Sequence, residues 1–130
     1  MLIEKFRADG KIALITGGTR GIGLGIARAL AEAGATIIIS ARKEAGAVET
    51  LSKEGHTVEF RPADMMDPDA PKTLIDGIVA DHGRLDILVN NAGVAISRPM
   101  DEFDDDAYDR LMTVNVTSVF RACRAALPHM

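Results

Sequence analysis

Four glycines in seven positions, Gly17, Gly18, Gly21 and Gly23, follow the run Ala13, Leu14, Ile15, Thr16 and lead straight into an amphipathic stretch. A strand that ends in such a turn and runs directly into a helix suits one chemistry above others. The N–H groups at a helix N-terminus are unpaired and carry partial positive charge, so they attract phosphate. To use them, the backbone must come very close to the ligand, and side chains would block the approach. Gly17 and Gly18 can turn the chain sharply off the strand, including through positive φ. Gly21 and Gly23 leave room for a pyrophosphate and for tight packing of helix on strand. The stretch reads as a dinucleotide-binding turn.

Such a turn needs a sheet and helices to hold it, and the rest of the chain supplies their pattern. Apolar runs recur at 11–16, 35–40, 57–62 and 85–90. The first, second and fourth are nearly continuous rather than alternating, which suits strands buried on both faces of a parallel sheet. Between them lie segments of helical period. Residues 21–34 place Ile22, Ile26, Ala29, Leu30 and Ala33 along one stripe and stop at Gly34. Residues 44–55 end on Gly55 in the same way, and residues 67–83 open with Asp and Pro signals and end on Gly83. A fourth helical segment fills 101–130. The order β-α-β-α-β-α-β-α predicts an α/β fold, a doubly wound parallel sheet in one domain spanning 1–130.

The bulk properties narrow the partners. A net charge of −4 leaves no basic footprint for nucleic acid. No apolar run approaches the roughly 20 residues that cross a bilayer, so no membrane role is expected. The N-terminal residues 1–11 carry no apolar signal core, which predicts a cytoplasmic protein. Cys123 is the single cysteine, so no internal disulfide can form. His56, His82 and His129 are scattered without ligand spacing, and no metal site is expected. The acids Asp104, Asp105 and Asp106 read as a helix start, where negative charge favours the macrodipole.

The glycine spacing is Thr16-Gly17-x-x-x-Gly21-x-Gly23, wider than G-x-G-x-x-G. It resembles the classical short-chain dehydrogenase/reductase family. Three further pieces match that family in order: 63–67 (Ala-Asp-Met-Met-Asp) after the third strand, 90–93 (Asn-Asn-Ala-Gly) after the fourth, and 112–120 in the fourth helix. The resemblance covers essentially the whole chain. It implies a Rossmann-type fold and hydride transfer between a nicotinamide dinucleotide and a carbonyl or alcohol substrate. By the same resemblance Thr19 and the N–H of Ile22 meet the phosphates, and Asp64 faces the adenine amino group beside the Met65 backbone. Asn91, Ala92 and Gly93 form the turn that passes the cofactor ribose. Asn90 reads as structural, tying neighbouring strands through its amide.

The end of the second strand bears on which dinucleotide. A standard NAD site has an acid there to bond the ribose hydroxyls. Here Ala41 stands in that place and Arg42 follows. Arg suits a 2′-phosphate through its charge and planar fork, and Arg20 in the glycine turn adds a second cation. Both features resemble the NADP-preferring branch of the family, so NADP(H) is expected over NAD(H). Glu44 is the departure, since a carboxylate there could oppose a phosphate.

For the chemistry, the family uses a Tyr as proton donor, a Lys four positions along, a Ser that bonds the substrate oxygen, and an Asn that holds a water in the proton relay. Asn115 matches that Asn. The other three lie beyond a fifth strand in the family, past Met130. The only Tyr, Tyr108, is followed four residues on by Met112 and reads as a helix-face residue. Ser97 and Ser118 stand in the wrong places for the family's Ser. Ile96 and Arg98 are candidates for one wall of the substrate site, though Arg98 also reads as a solvated loop residue. The expectation is the N-terminal, cofactor-binding portion of an oxidoreductase that is a homo-oligomer in its full-length form. Alone, with an apolar fourth strand left at the sheet edge, this chain is expected to be inactive and either poorly stable or self-associating. A half-length NADP(H)-binding module, or an inactive truncated product without catalysis, is the alternative.

Overall fold

The computed structural model describes all of residues 1–130. Strands β1 (Ile12–Thr16), β2 (Thr36–Ala41), β3 (Val58–Pro62) and β4 (Ile87–Val89) form one parallel sheet in the order β3-β2-β1-β4. Helices α1 (Gly21–Glu32), α2 (Ala47–Lys53), α3 (Ala70–His82), α4 (Asp105–Met112) and α5 (Ser118–Ala126) complete the Rossmann-type arrangement. From β1 the chain moves outward to β2 and β3, then returns to place β4 on the other side of β1. That reversal opens a crevice at the carboxyl ends of β1 and β4, where open α/β sheets bind ligands.

Successive strand residues point to opposite faces, so a strand covered on both sides must be apolar throughout. Ala13, Ile15, Ile37 and Ile39 face one way and pack with Ala27, Ala31, Ala47 and Leu51 of α1 and α2. Leu14 and Ile38 face the other way and pack with Leu74, Ile75 and Ile78 of α3 and with Ala122 and Ala126 of α5. β1 is buried along its whole length, whereas all three residues of β4 are only half-buried. β4 is a sheet edge in this chain, as the sequence predicts. β3 is the other edge, and it carries Glu59, Arg61 and a terminal Pro62, residues that blunt an edge against further pairing.

Three features differ from the expected pattern. The buried side of α1 is Gly23, Ala27 and Ala31, while Ile22 is 78% exposed and Ala29 is also exposed. Of the expected stripe, Ile26, Leu30 and Ala33 do pack against the core, partly buried at its flank, while the fully buried line is of small residues because α1 lies close to the sheet. β4 is three residues long rather than six. The fourth helix is broken: α4 passes through a π-helical segment, Thr113–Thr117, into α5, with short 3-10 turns at Met100–Glu102 and Leu127–His129.

Candidate functional site

The turn after β1 is fixed from three directions. Gly17 has φ 65°, and a Cβ there would lie 2.9 Å from Asn91 Nδ2 and 3.0 Å from Ala92 Cα. Its N–H and that of Gly18 both donate to Ser40 O at the end of β2, at 2.7 and 3.3 Å. Gly18 keeps an ordinary φ; its constraint is packing, with a Cβ position 2.7 Å from Ile39 Cγ2. Gly21 rather than Gly18 shares the positive φ, at 55°. Gly23 is the tightest point, where a Cβ would stand 2.2 Å from Gly17 O and 2.5 Å from Asn91 Nδ2. No ordinary Cβ contact is that short, so glycine is obligatory for this approach of α1 to the turn.

The N-terminus of α1 is left open. Arg20 precedes it in extended conformation with no side-chain cap, and the first turn holds no acid. The N–H groups of residues 19 to 23 donate to no acceptor in the chain. Unpaired donors at the start of a 12-residue helix form a cradle for an anion. Thr19 is half-buried beside it, while Arg20 and Ile22 are exposed.

Across the crevice the chain after β4 is held to β1 by one hydroxyl. Thr16 is 3% exposed. Its Oγ1 accepts from Asn91 N at 3.1 Å and Ala92 N at 3.0 Å and donates to Val89 O at 3.3 Å. Asn91 Nδ2 donates to Gly17 O at 3.0 Å, joining the two turns. Asn91, not Asn90, ties the strand ends. The Asn90 amide instead meets Cys123 Sγ of α5 at 3.4 Å, because no strand lies on that side of β4.

Asn115 sits in the π segment and clamps the loop beyond Gly93. Its Oδ1 accepts from Val94 N and its Nδ2 donates to Val94 O, both at 2.8 Å. The widened turn sends the N–H of Ser118 to Thr113 O. This strips Val114 O of its usual α-helical donor, and the buried Ser118 hydroxyl replaces it at 2.6 Å. Single π turns occur often at functional sites.

The ends of β2 and β3 border a separate open cleft of about 810 Å³, lined among others by Arg42, Arg61, Ala63, Asp64 and Asp67. It brings Arg42 and Asp64 together but excludes the glycine turn and Asn91–Gly93. Asp64 spends one oxygen on Met66 N at 2.9 Å and is exposed, and Met65 is buried in the core. Asp64 is not a helix cap, since α3 begins only at Ala70. Arg61 binds Glu59 and Asp81, and His82 reaches Glu59 at 2.8 Å. Partial burial would raise the Glu59 carboxyl, but the hydrogen bonds from His82 and Arg61 outweigh it and hold it below the ordinary carboxylate range. Arg20 and Arg42 have no ion-pair partner, whereas Arg28 and Arg84 each have one and Arg61 has two.

The remaining candidates scatter. Tyr108 is exposed on α4, Ser97 is exposed in the loop, Ile96 is half-buried, and Arg98 lies 3.4 Å from Asp104. Asp104 caps α4 by accepting from Ala107 N at 2.8 Å. Sequence reasoning gave no structural role to Thr16, to the Ser118 hydroxyl or to the Val94 backbone. A hydroxyl closing an otherwise apolar strand was the one available signal for Thr16.

Comparison with known proteins gives a consistent answer. The sequence profile of a family described as short chain dehydrogenase matches residues 11–130. The chain is 44% identical over 123 residues to a 2-dehydro-3-deoxy-D-gluconate 5-dehydrogenase of Pseudoalteromonas atlantica, covering 92% of this chain and 48% of that protein. It is 39% identical over 125 residues to a D-beta-hydroxybutyrate dehydrogenase of Cupriavidus necator, covering 94% and 48%. Among solved structures, a gluconate 5-dehydrogenase from Burkholderia cenocepacia in complex with NADP and tartrate superposes with a TM-score of 0.90 at 41% identity, covering 99% of this chain and 52% of that one. The chain spans about half the length of the curated relatives it matches.

Proposed function

Since the chain belongs to the short-chain dehydrogenase family, we propose that residues 1–130 are the dinucleotide-binding Rossmann portion of an NADP(H)-dependent oxidoreductase acting on a small carbonyl or alcohol. The observation that carries this reading is the open N-terminus of α1, where the N–H groups of residues 19 to 23 lack acceptors beside a turn that admits only glycine at Gly17 and Gly23. These residues fit a pyrophosphate: free donors, no side chain in the way, and no competing acid. The unpaired Arg42, with Arg20, takes the 2′-phosphate, and the NADP held by the Burkholderia relative supports the choice of dinucleotide. Asp64 and the Met65 backbone receive the adenine, and Asn91, Ala92 and Gly93 flank the ribose.

Bound NADP(H) supplies the hydride exchanged with the substrate carbon. The chain's own part is orientation. Thr16 and Asn91 lock the β4 turn against the glycine turn, and Asn115 fixes the loop at Val94 on the substrate side. Because both ends of the Asn115 amide are committed to Val94, a relay water at this residue is held by the main chain of the π segment. Tyr108 has no Lys four residues on, so the 130 residues alone bind NADP(H) without turning it over. The apolar residues Tyr108, Val116, Phe120 and Leu127, all more than half exposed between the start of α4 and the 3-10 turn after α5, favour a homo-oligomer. No helix is long and apolar enough to cross a membrane, which is compatible with a cytoplasmic protein.

Fluorescence titration tests the reading. NADPH emission rises and saturates on adding the chain, NADH binds more weakly, and neither is consumed by carbonyl substrates. Equal affinity for the two dinucleotides would remove the case for NADP(H), and failure of both to bind a folded chain would remove the dinucleotide site. Turnover by this chain alone would overturn the division of labour.

A further inference from the structure

Arginine and an acid two residues apart occur at four places in this sequence: Arg7 and Asp9, Arg42 and Glu44, Glu59 and Arg61, Arg84 and Asp86. Three of the four close into ion pairs, at 2.6, 2.5 and 2.6 Å. The exception is Arg42. The partner it would otherwise have is turned away, because the Glu44 carboxylate accepts Gly46 N at 2.8 Å through one oxygen and Val48 N at 2.7 Å through the other. Both of its oxygens thus cap the first turn of α2. The backbone is contorted to allow this. Ala45 has φ 57°, the only non-glycine residue at positive φ, and Gly46 follows at 77°. A residue held in that region marks a turn that its surroundings over-determine.

We propose that Glu44 is a positioning residue for dinucleotide selection. By capping α2 it withdraws its charge from Arg42, holds the 42–46 turn in shape, and leaves the guanidinium unpaired on the wall of the cleft that also contains Asp64. The inference rests on the NADP(H) reading above and refines it: the carboxylate that stands nearest to Arg42 in sequence is a support for phosphate recognition and not an opponent of it. The argument is one of competition. A guanidinium already bonded to a carboxylate has fewer donors left for a phosphate, and charge-assisted pairs of this kind are strong. The turn removes that competitor at the one arginine where it would matter.

The test compares NADPH with NADH binding in the 130-residue chain by fluorescence titration. Glu44→Asp keeps the charge but shortens the reach, so the acid loses the α2 amides and falls back on Arg42. The NADPH-over-NADH affinity ratio should drop about tenfold. Glu44→Ala loses the cap without supplying a competitor, and the ratio should drop less. NADH affinity should stay unchanged in both, which shows that the glycine turn is intact. In an Arg42→Ala background neither substitution should change the ratio further. A ratio unaltered in Glu44→Asp, with only the melting temperature lowered, reduces Glu44 to a plain cap and overturns the proposal. Tighter NADPH binding by Glu44→Ala overturns it in favour of simple repulsion. A parent chain that binds both dinucleotides equally removes the underlying reading instead.

Discussion

The two halves of the crevice rim are built on opposite principles. Where β1 ends, a buried hydroxyl, an asparagine amide and two glycines hold three pieces of backbone within contact of one another, and Asn91 N, Ala92 N and Asn91 Nδ2 all bond inside the chain. Where β2 ends, Arg42 and Asp64 stand in a solvated cleft, one arginine is kept free, and the loop is held by a single capping carboxylate. On the proposed reading, the first region determines whether a phosphate-bearing ligand can approach at all, and the second discriminates between ligands that already can. Changes in the first should therefore cost stability and binding together, and changes in the second should alter selectivity alone.

Gly23→Ala puts the contrast to its hardest test. Its Cβ meets the Gly17 carbonyl before it meets the Asn91 amide, and backbone cannot rotate aside, so α1 must shift as a body. Chemical denaturation should show a loss of about 3 kcal/mol, with no dinucleotide binding remaining. Thr16→Val keeps the shape of the side chain but leaves the amides of Asn91 and Ala92 without an acceptor. The cost should be about 2 kcal/mol, and hydrogen exchange at those two amides should quicken. Arg42→Ala belongs to the second region. NADPH affinity should fall about tenfold, with NADH affinity and the melting temperature unchanged. If Arg42→Ala instead destabilised the chain as Thr16→Val does, the distinction between the two regions would collapse.

The smallest effect is expected from acid. The hydrogen bond from Arg84 holds the Asp86 carboxyl below its ordinary value, with the Ile12 N–H helping and partial burial opposing. A depressed folded pKa gives stability that is present above the unfolded value and lost as pH falls through the folded one. Denaturation midpoints should hold steady at neutral pH and decline below about pH 4. Asp86→Asn should flatten that decline, since Asp86 Oδ2 also anchors the start of β1 by accepting Ile12 N at 2.8 Å.

The rigid region was the more legible of the two in sequence, for a physical reason. Positive φ and close approach leave glycine no substitute, so Gly17 and Gly23 announce the turn by residue type. Arg42 was legible only through Ala41, by the absence of an acid where one was sought. The support around these residues was not legible. The role of Thr16 depends on amides 75 and 76 residues away. Glu44 reads as a charge near a phosphate until the αL conformation of Ala45 shows where its carboxylate goes. The α1 stripe was legible in part: Ile26, Leu30 and Ala33 pack against the core, but large residues suggest the buried centre, whereas the closeness of the helix to the sheet selected Gly23, Ala27 and Ala31. Nothing in the residue types of Thr113–Thr117 distinguishes a π turn from the α-helix on either side.

That turn separates packing from positioning by length alone. A π turn closes between residues five apart where an α turn closes between residues four apart, so it accommodates one residue that the flanking helices do not need. Ala122 and Ala126 downstream keep their place on the sheet as though that residue were absent. Shortening Thr113–Thr117 by one would give a regular helix with the same buried face, while Asn115 would swing off Val94. In this segment a one-residue deletion acts as replacing the Asn115 amide would: it removes the two bonds to Val94 and leaves the buried face standing.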